Sequence, residues 1–358
     1  RWAAGILVSP IALFLLLALL IYLPPVQNFV VQKATEVLSE RMGMDIRIGK
    51  VRLAFPLDLA IHHTLAIEAG DTLLDARSLR LNMQMLPLLK GRAEVDGVEL
   101  YDVKLDTKSY LPDTHLKGRA GELTAEAHSI DWKNEQVRLN RFKLKDARFT
   151  VALSDTAQKD TLPSTAQWVV EVVQADIERS HIQLHLPGDS MRIGLLMGSA
   201  ALRGGRFDTG RGDYAVRSLQ MRNAGISYDL PHEPHAAGLD PNHLAFTELN
   251  LMLDTLHYTQ QGVLTAGLGG LSLKEKSGLA VSRLQGSVYM DSTQLRLPAL
   301  NLRTPYSRVD ATVSFDFKAL QAGKGGHCHL DVDASIGRED LRCLASGLVD
   351  DACLNLLP

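Results

Sequence analysis

Hydrophobic and polar positions fall into three successive patterns along this chain. The first is a run over residues 3–23 that is apolar throughout except for Gly5, Ser9 and Pro10. At ~1.5 Å per helical residue it reaches ~30 Å, the hydrocarbon thickness of a bilayer. It ends in Leu20-Ile21-Tyr22-Leu23-Pro24-Pro25, which lacks the small residues of a signal-peptide cleavage site. A helix apolar on every face also has no place in the core of a β-type chain. The pattern predicts a single transmembrane anchor over residues 1–24. Arg1 precedes the run, whereas Lys33 and Arg41 are balanced by Glu36 and Glu40 after it. The positive-inside rule then puts the N-terminus in the cytoplasm and the body across the membrane.

The second pattern has a helical period. Val26, Phe29, Val30, Ala34, Val37, Leu38 and Met42 recur on one face of a 3.6-residue repeat, opposite Gln27, Gln32, Lys33, Glu36, Glu40 and Arg41. This predicts a short amphipathic helix within residues 25–44, closed by Gly43 as a C-terminal cap. Two roles fit it. It packs on the first strands, or it lies at the membrane interface through Val26, Phe29, Val30, Val37 and Leu38.

From residue 45 to 337 the period is 2. Val51, Leu53, Phe55, Leu57, Leu59 and Ile61 alternate with other residues, as do Leu79, Leu81, Met83 and Met85 with Arg80, Asn82 and Gln84. That is sheet with one dry and one wet side. A spacing then repeats. Ala93, Val95, Val98, Leu100, Val103 and Leu105 follow steps of 2, 3, 2, 3, 2. Val137, Leu139, Phe142, Leu144, Ala147 and Phe149 have the same steps, continued by Val151 and Leu153. Tyr214, Val216, Leu219, Met221, Ala224 and Ile226 have them again, and looser copies begin at Val170, Leu244 and Leu295. The intervening Arg138, Asn140, Arg141, Lys143, Lys145, Asp146 and Arg148 are all polar. A step of 3 flips the apolar set to the other face unless a residue bulges out or the chain turns. Asp96-Gly97 could turn, but Asn140-Arg141 and Arg217-Ser218 are poorer turn formers, so bulged strands that keep one apolar face through a bend are expected. Loops are expected at 111–121, 154–166, 204–213 and 230–242, with turns between short strands over 262–277. The body divides, if anywhere, near 154–166 and 230–242, and 338–358 reads as an irregular tail.

Composition narrows the function. With 46% hydrophobic and 22% charged residues the chain folds. A net charge of −3 without a run of Lys or Arg argues against nucleic acid as a partner. Cys328, Cys343 and Cys353 are odd in number and confined to the C-terminal end, which is no disulfide framework. No GxSxG, HExxH or phosphate-binding loop occurs, so neither a catalytic site nor a cofactor is expected. In His232-Glu233-Pro234-His235 the spacing is wrong for two ligands on one helix. His327, His329, Asp331 and Asp333, beside Cys328, have metal-ligand chemistry. They are also simply the wet face of a strand whose dry face is Leu330, Val332, Ala334 and Ile336.

The order of these parts resembles a known family. An N-terminal span and short helix lead into Arg41-Met42-Gly43-Met44-Asp45-Ile46-Arg47-Ile48-Gly49-Lys50-Val51. There follow Leu86-Pro87-Leu88-Leu89-Lys90-Gly91-Arg92-Ala93-Glu94-Val95-Asp96-Gly97-Val98-Glu99-Leu100 and, later, Leu302-Arg303-Thr304-Pro305-Tyr306-Ser307. Over roughly residues 5–340 the chain resembles the N-terminal portion of the AsmA/TamB family of Gram-negative envelope proteins, in particular the TamB-like members of Bacteroidota. The resemblance implies an inner-membrane anchor and a periplasmic β-body. That body is an elongated, curved antiparallel sheet of the β-taco kind, with an apolar inner face that carries phospholipid towards the outer membrane. It implies a TamA-type outer-membrane barrel as a possible partner, and no catalytic residues. Family chains are much longer and end in a different domain.

The groove lining is then expected at Val98, Leu100, Val103, Leu105, Val137, Leu139, Phe142, Leu144, Phe149, Val151, Leu219, Met221 and Ile226. The same residues would equally fill an ordinary dry β-sandwich. Two other functions compete with lipid binding. One is an assembly scaffold that captures strands at a sheet edge. The other is an adhesin or glycan-binding sandwich, for which Trp2, Trp132 and Trp168 supply few aromatics.

Overall fold

The computed structural model describes residues 32, 35–36, 39, 43–54, 58–83, 95–108, 114–131, 135–153, 168–320 and 325–345. Its strands are β1 (Asp45–Ala54), β2 (Asp58–Glu68), β3 (Asp71–Met83), β4 (Val95–Asp106), β5 (Thr114–Asp131), β6 (Gln136–Lys145), β7 (Arg148–Leu153) and β8 (Val169–His185). They continue as β9 (Arg192–Asp208), β10 (Asp213–Asp229), β11 (His243–Tyr258), β12 (Leu264–Glu275), β13 (Ala280–Met290), β14 (Gln294–Arg303), β15 (Arg308–Asp316) and β16 (Cys328–Ser335). A helix, α1 (Arg338–Ala345), follows. All sixteen strands form one sheet in chain order, β6 being followed by β8, while β7 lies end to end with β6 and pairs with β5 and β8. The chain is therefore mainly β, as its alternation predicts.

At the second step of 3 in each of the three close copies one residue bulges out of extended backbone. Neighbouring strands keep step with it, so that pairing continues in register across Asp102 and Arg179. Asp102, Asp146 and Asn223, each one residue before the last apolar pair of its copy, have φ of +49°, +51° and +48°. His63, Arg179 and Glu248 do the same on β2, β8 and β11, with φ of +57°, +42° and +49°. A bulged residue in this conformation bends its strand and restores the inward side of the next residue. Asp and Asn accept positive φ more readily than most residues. Several bulge side chains are tied across the polar face: Asp102 accepts from Arg77 at 2.8 Å, Asp146 from Arg179 Nε at 2.6 Å, and Glu248 from Lys274 at 2.8 Å. Opposite the bulge on β10 stands Gly198, where a Cβ would lie 2.8 Å from the carbonyl oxygens of both Arg222 and Asn223.

Burial follows the same line. The residue after each bulge is buried: Thr64, Val103, Ala147, Ser180, Ala224 and Leu249. The register joins them laterally through Thr64↔Ala76, Ala76↔Val103, Val103↔Ala120, Ser180↔Met197, Met197↔Ala224 and Ala224↔Leu249. Small residues dominate this row, and Ala76 and Ser180 have no exposure at all. Leu144, Ala147 and Ala120 form one cluster with Phe142 and Phe149 packed on it. Met221 and Ala224 form another with Met197 and Leu249, flanked by Leu219 and Ile226. Apolar residues from both sides of the bulge thus share one face.

Several expectations need correction. The sheet is not wholly antiparallel, because β8 runs parallel to β6 and β7. A parallel neighbour needs a crossover of a dozen residues or more, which the expected loop at 154–166 supplies; residues 154–167 lie outside the described residues. The unbroken alternation from Val51 to Ile61 conceals a chain reversal, since Ala54 pairs with Asp58 and Val51 with Ile61. A hairpin about an odd number of residues preserves parity, so periodicity could not reveal it. Expected loops at 111–121 and 204–213 shrink because β5 begins at Thr114 and β9 continues to Asp208. The glycine-rich 262–277 is mostly strand β12. There the side chains of Met252 and Asp254 close over Gly269, filling the space its missing Cβ leaves. The tail is not irregular throughout, for residues 338–345 form α1.

Within the expected amphipathic helix, residues 32, 35, 36 and 39 are helical. Ser39 Oγ accepts the Ile46 N–H at 3.1 Å, against the N-terminal end of β1. The expected anchor, and Val26, Phe29, Val30, Val37 and Leu38, lie outside the described residues. Among the described residues no helix is long and apolar enough to cross a membrane.

Candidate functional site

The apolar face is ordered into rows that cross the sheet perpendicular to the strands. One row takes a residue from every strand on the pairing path. It runs Val51, Ile61, Leu79, Leu100, Leu123 and Leu144 through β1 to β6. It continues through Ile177, Ala200, Met221, Leu251 and Leu271 on β8 to β12. Leu284, Leu302, Val309 and Ala334 complete it on β13 to β16. Every member is apolar. At ~4.8 Å per strand the row extends up to about 65 Å, twice the hydrocarbon thickness of a bilayer.

The expected lining residues occupy this row and its neighbours. Leu100, Leu144 and Met221 belong to it. Val98, Phe142 and Leu219 lie in the row on one side, linked through Ala125, Ala175 and Leu202. Val103 lies in the buried row at the bulges. Beyond it Leu105, Phe149 and Ile226 are joined through Gly118, Ile182 and Leu195. Val151 pairs with Leu184, Val137 with Val170, and Leu139 with Val172. The structure spreads these residues along a strip instead of gathering them into one pocket. The expected lining omitted Ile177, Ile182, Phe246 and Leu251, although the looser copies from Val170 and Leu244 run through them. It also omitted Leu195 and Ala200, which no copy contains; all six pack against the central cluster. Leu196, turned out and exposed, breaks the alternation on β9 and hides its neighbours.

Among the described residues little covers this face. Leu100, Phe142, Phe149, Leu219 and Ile226 are only half-buried, and Leu330 on β16 is 65% exposed. The opposite face is a lattice of alternating charge. Glu122 and Lys143 pair at 2.8 Å, Lys145 and Glu178 at 3.7 Å, and Asp176 and Arg203 at 2.9 Å. The Glu122 carboxylate raises the Lys143 pKa. Such half-buried surface pairs add little stability but keep that side polar.

Chemistry concentrates in the loop between β10 and β11. His235, Asp240 and His243 bring potential metal-ligand atoms within 4.8 Å of one another. The hydrogen bonds favour a proton over a cation. His243 Nδ1 lies 2.6 Å from Asp229 Oδ1 and its Nε2 lies 3.0 Å from the Glu233 carbonyl. Both partners are acceptors, so both ring nitrogens donate and neither lone pair is free. Asp240, buried, accepts the N–H groups of Ala236 and Asn242, which lower its pKa. His243 is 3% exposed, and its pKa is raised, chiefly by the Asp229 hydrogen bond. A raised folded pKa means that the clamp contributes fully below the unfolded value of 6.5 and is lost as pH rises through the folded one. Amide exchange of residues 231–242, corrected for its intrinsic rate, should therefore be slowest below pH 6.5 and accelerate as the pH rises above it. Exchange protection that does not change with pH would refute the clamp. The other metal-type set is not brought together: His327, His329, Asp331 and Asp333 stand exposed along one edge of the sheet.

Neither a family model nor a curated protein matches this chain.

Proposed function

We propose that the chain is a membrane-anchored lipid-binding protein of the bacterial envelope. Its sheet, bent along the bulge line, holds phospholipid acyl chains against the apolar face and leads them from the inner membrane through the periplasm towards the outer membrane. The observation that carries this reading is the row from Val51 to Ala334, apolar at every strand. A buried CH₂ contributes ~0.8 kcal/mol without directional contacts. A strip that is apolar from end to end therefore holds a chain at many positions with similar affinity, which sliding requires. Family resemblance in the sequence supports the anchor, the periplasmic placement and the absence of catalysis.

Quantitative lipid extraction tests the reading. Purified wild type should carry more phospholipid, by mass spectrometry, than the double variant Leu219→Glu/Ile226→Glu. Both chains keep the same N-terminal segment, so lipid held there cancels. Equal amounts would sink the proposal. A second reading, an assembly scaffold acting with a TamA-type barrel, is favoured by β16. All eight of its residues are exposed, and it forms one edge of the sheet, where a partner strand could add.

A further inference from the structure

The polar face departs from alternating charge where cations meet across neighbouring strands. The lateral row Asp75↔Lys104, Lys104↔Arg119, Arg119↔Arg148 sets three cations side by side on β4, β5 and β7. Like charges directly opposite destabilise a sheet. Asp75 reaches Lys104 at 4.0 Å, but among the described residues no carboxylate pairs with Arg119 or Arg148. The nearby Asp106 is already engaged, by His115 at 2.7 Å and by Lys117 at 3.4 Å. A second arginine row, Arg283, Arg303 and Arg308, differs in that one carboxylate neutralises two of its members. Asp310 lies 2.8 Å from both Arg303 and Arg308. The uncompensated row lines a depression of about 610 Å³ together with Lys117, Thr72 and Thr150. Four cations against two carboxylates leave it positive on a chain whose net charge is −3.

We propose that Arg119 and Arg148, assisted by Lys104 and Lys117, bind a phosphate-bearing anion in this depression. Each guanidinium offers a planar fork of N–H donors that matches phosphate oxygens, and two forks on adjacent strands grip one group from two sides. The threonine hydroxyls supply further donors. A bound anion offsets the repulsion among these cations. This site lies on the face opposite the apolar strip and does not depend on the lipid reading.

Calorimetric titration of the detergent-solubilised full chain tests it in two arms, one with pyrophosphate and one with micelles containing phosphatidate or only neutral lipid. Binding is expected in at least one arm, weakening with salt and falling at least tenfold in Arg119→Gln and in Arg148→Gln. Pyrophosphate binding identifies a soluble phosphate; binding of phosphatidate micelles alone identifies a lipid headgroup. Without ligand, each glutamine variant should melt at a higher temperature than wild type, because a like charge is gone. No binding in either arm, binding indifferent to both substitutions, or a lower melting temperature in both variants overturns the proposal.

Discussion

A glutamate at Leu144 should cost about 3–5 kcal/mol of stability, while a glutamate at Leu219 should cost no more than about 1 kcal/mol. The two leucines differ by place on the same face. Leu144 is buried in one cluster with Ala120 and Ala147, so a carboxylate there has neither water nor partner. Leu219 stands half-exposed one row away, where the new charge remains hydrated. Urea denaturation followed by circular dichroism measures both. Equal losses would mean that the apolar face is covered like an ordinary core, which would contradict an open strip.

The bulges carry the second large effect. Valine in place of Asn223 should destabilise β10 by about 1–2 kcal/mol, because a β-branched residue resists positive φ. Glycine at the same position should be neutral or slightly stabilising. The same contrast is expected at Asp102, where the Arg77 contact is lost in addition. Hydrogen exchange resolved by strand is the suitable measurement, since contacts run between neighbouring strands and no single core unfolds at once. A valine variant as protected as wild type would show that the backbone there has no need of the left-handed conformation.

These bulges were the most legible feature of the sequence. A step of 3 between apolar residues, with Asp102, Asp146 or Asn223 before the last pair, is a statement about faces, and faces are what side-chain periodicity records. Chain reversals were less legible. The turn between Ala54 and Asp58 keeps the parity of the alternation, and Gly267 to Gly270 look like a turn although neighbouring side chains make a strand of them. The parallel entry of β8 left no mark, because Val170 and Val172 pair in either direction. The expected lining was found on the strands whose alternation is cleanest and missed on β8, β9 and β11, where outward Leu196 and Met252 blur it. The His243 clamp was invisible, since Asp229 and Glu233 become its partners only when β10 and β11 close the loop. The arginine row depends on register across β4, β5 and β7, which no local pattern encodes.

The central claim is that lipid acyl chains lie along one face of this sheet and not the other. A photo-crosslinking amino acid placed at Phe142 or, next to it, at Lys143 tests this in the full chain within native membranes. The two positions face opposite sides of the same strand. Adducts with phospholipid, identified by mass spectrometry, are predicted at 142 and not at 143. Adducts at both positions, or at neither, would contradict the account.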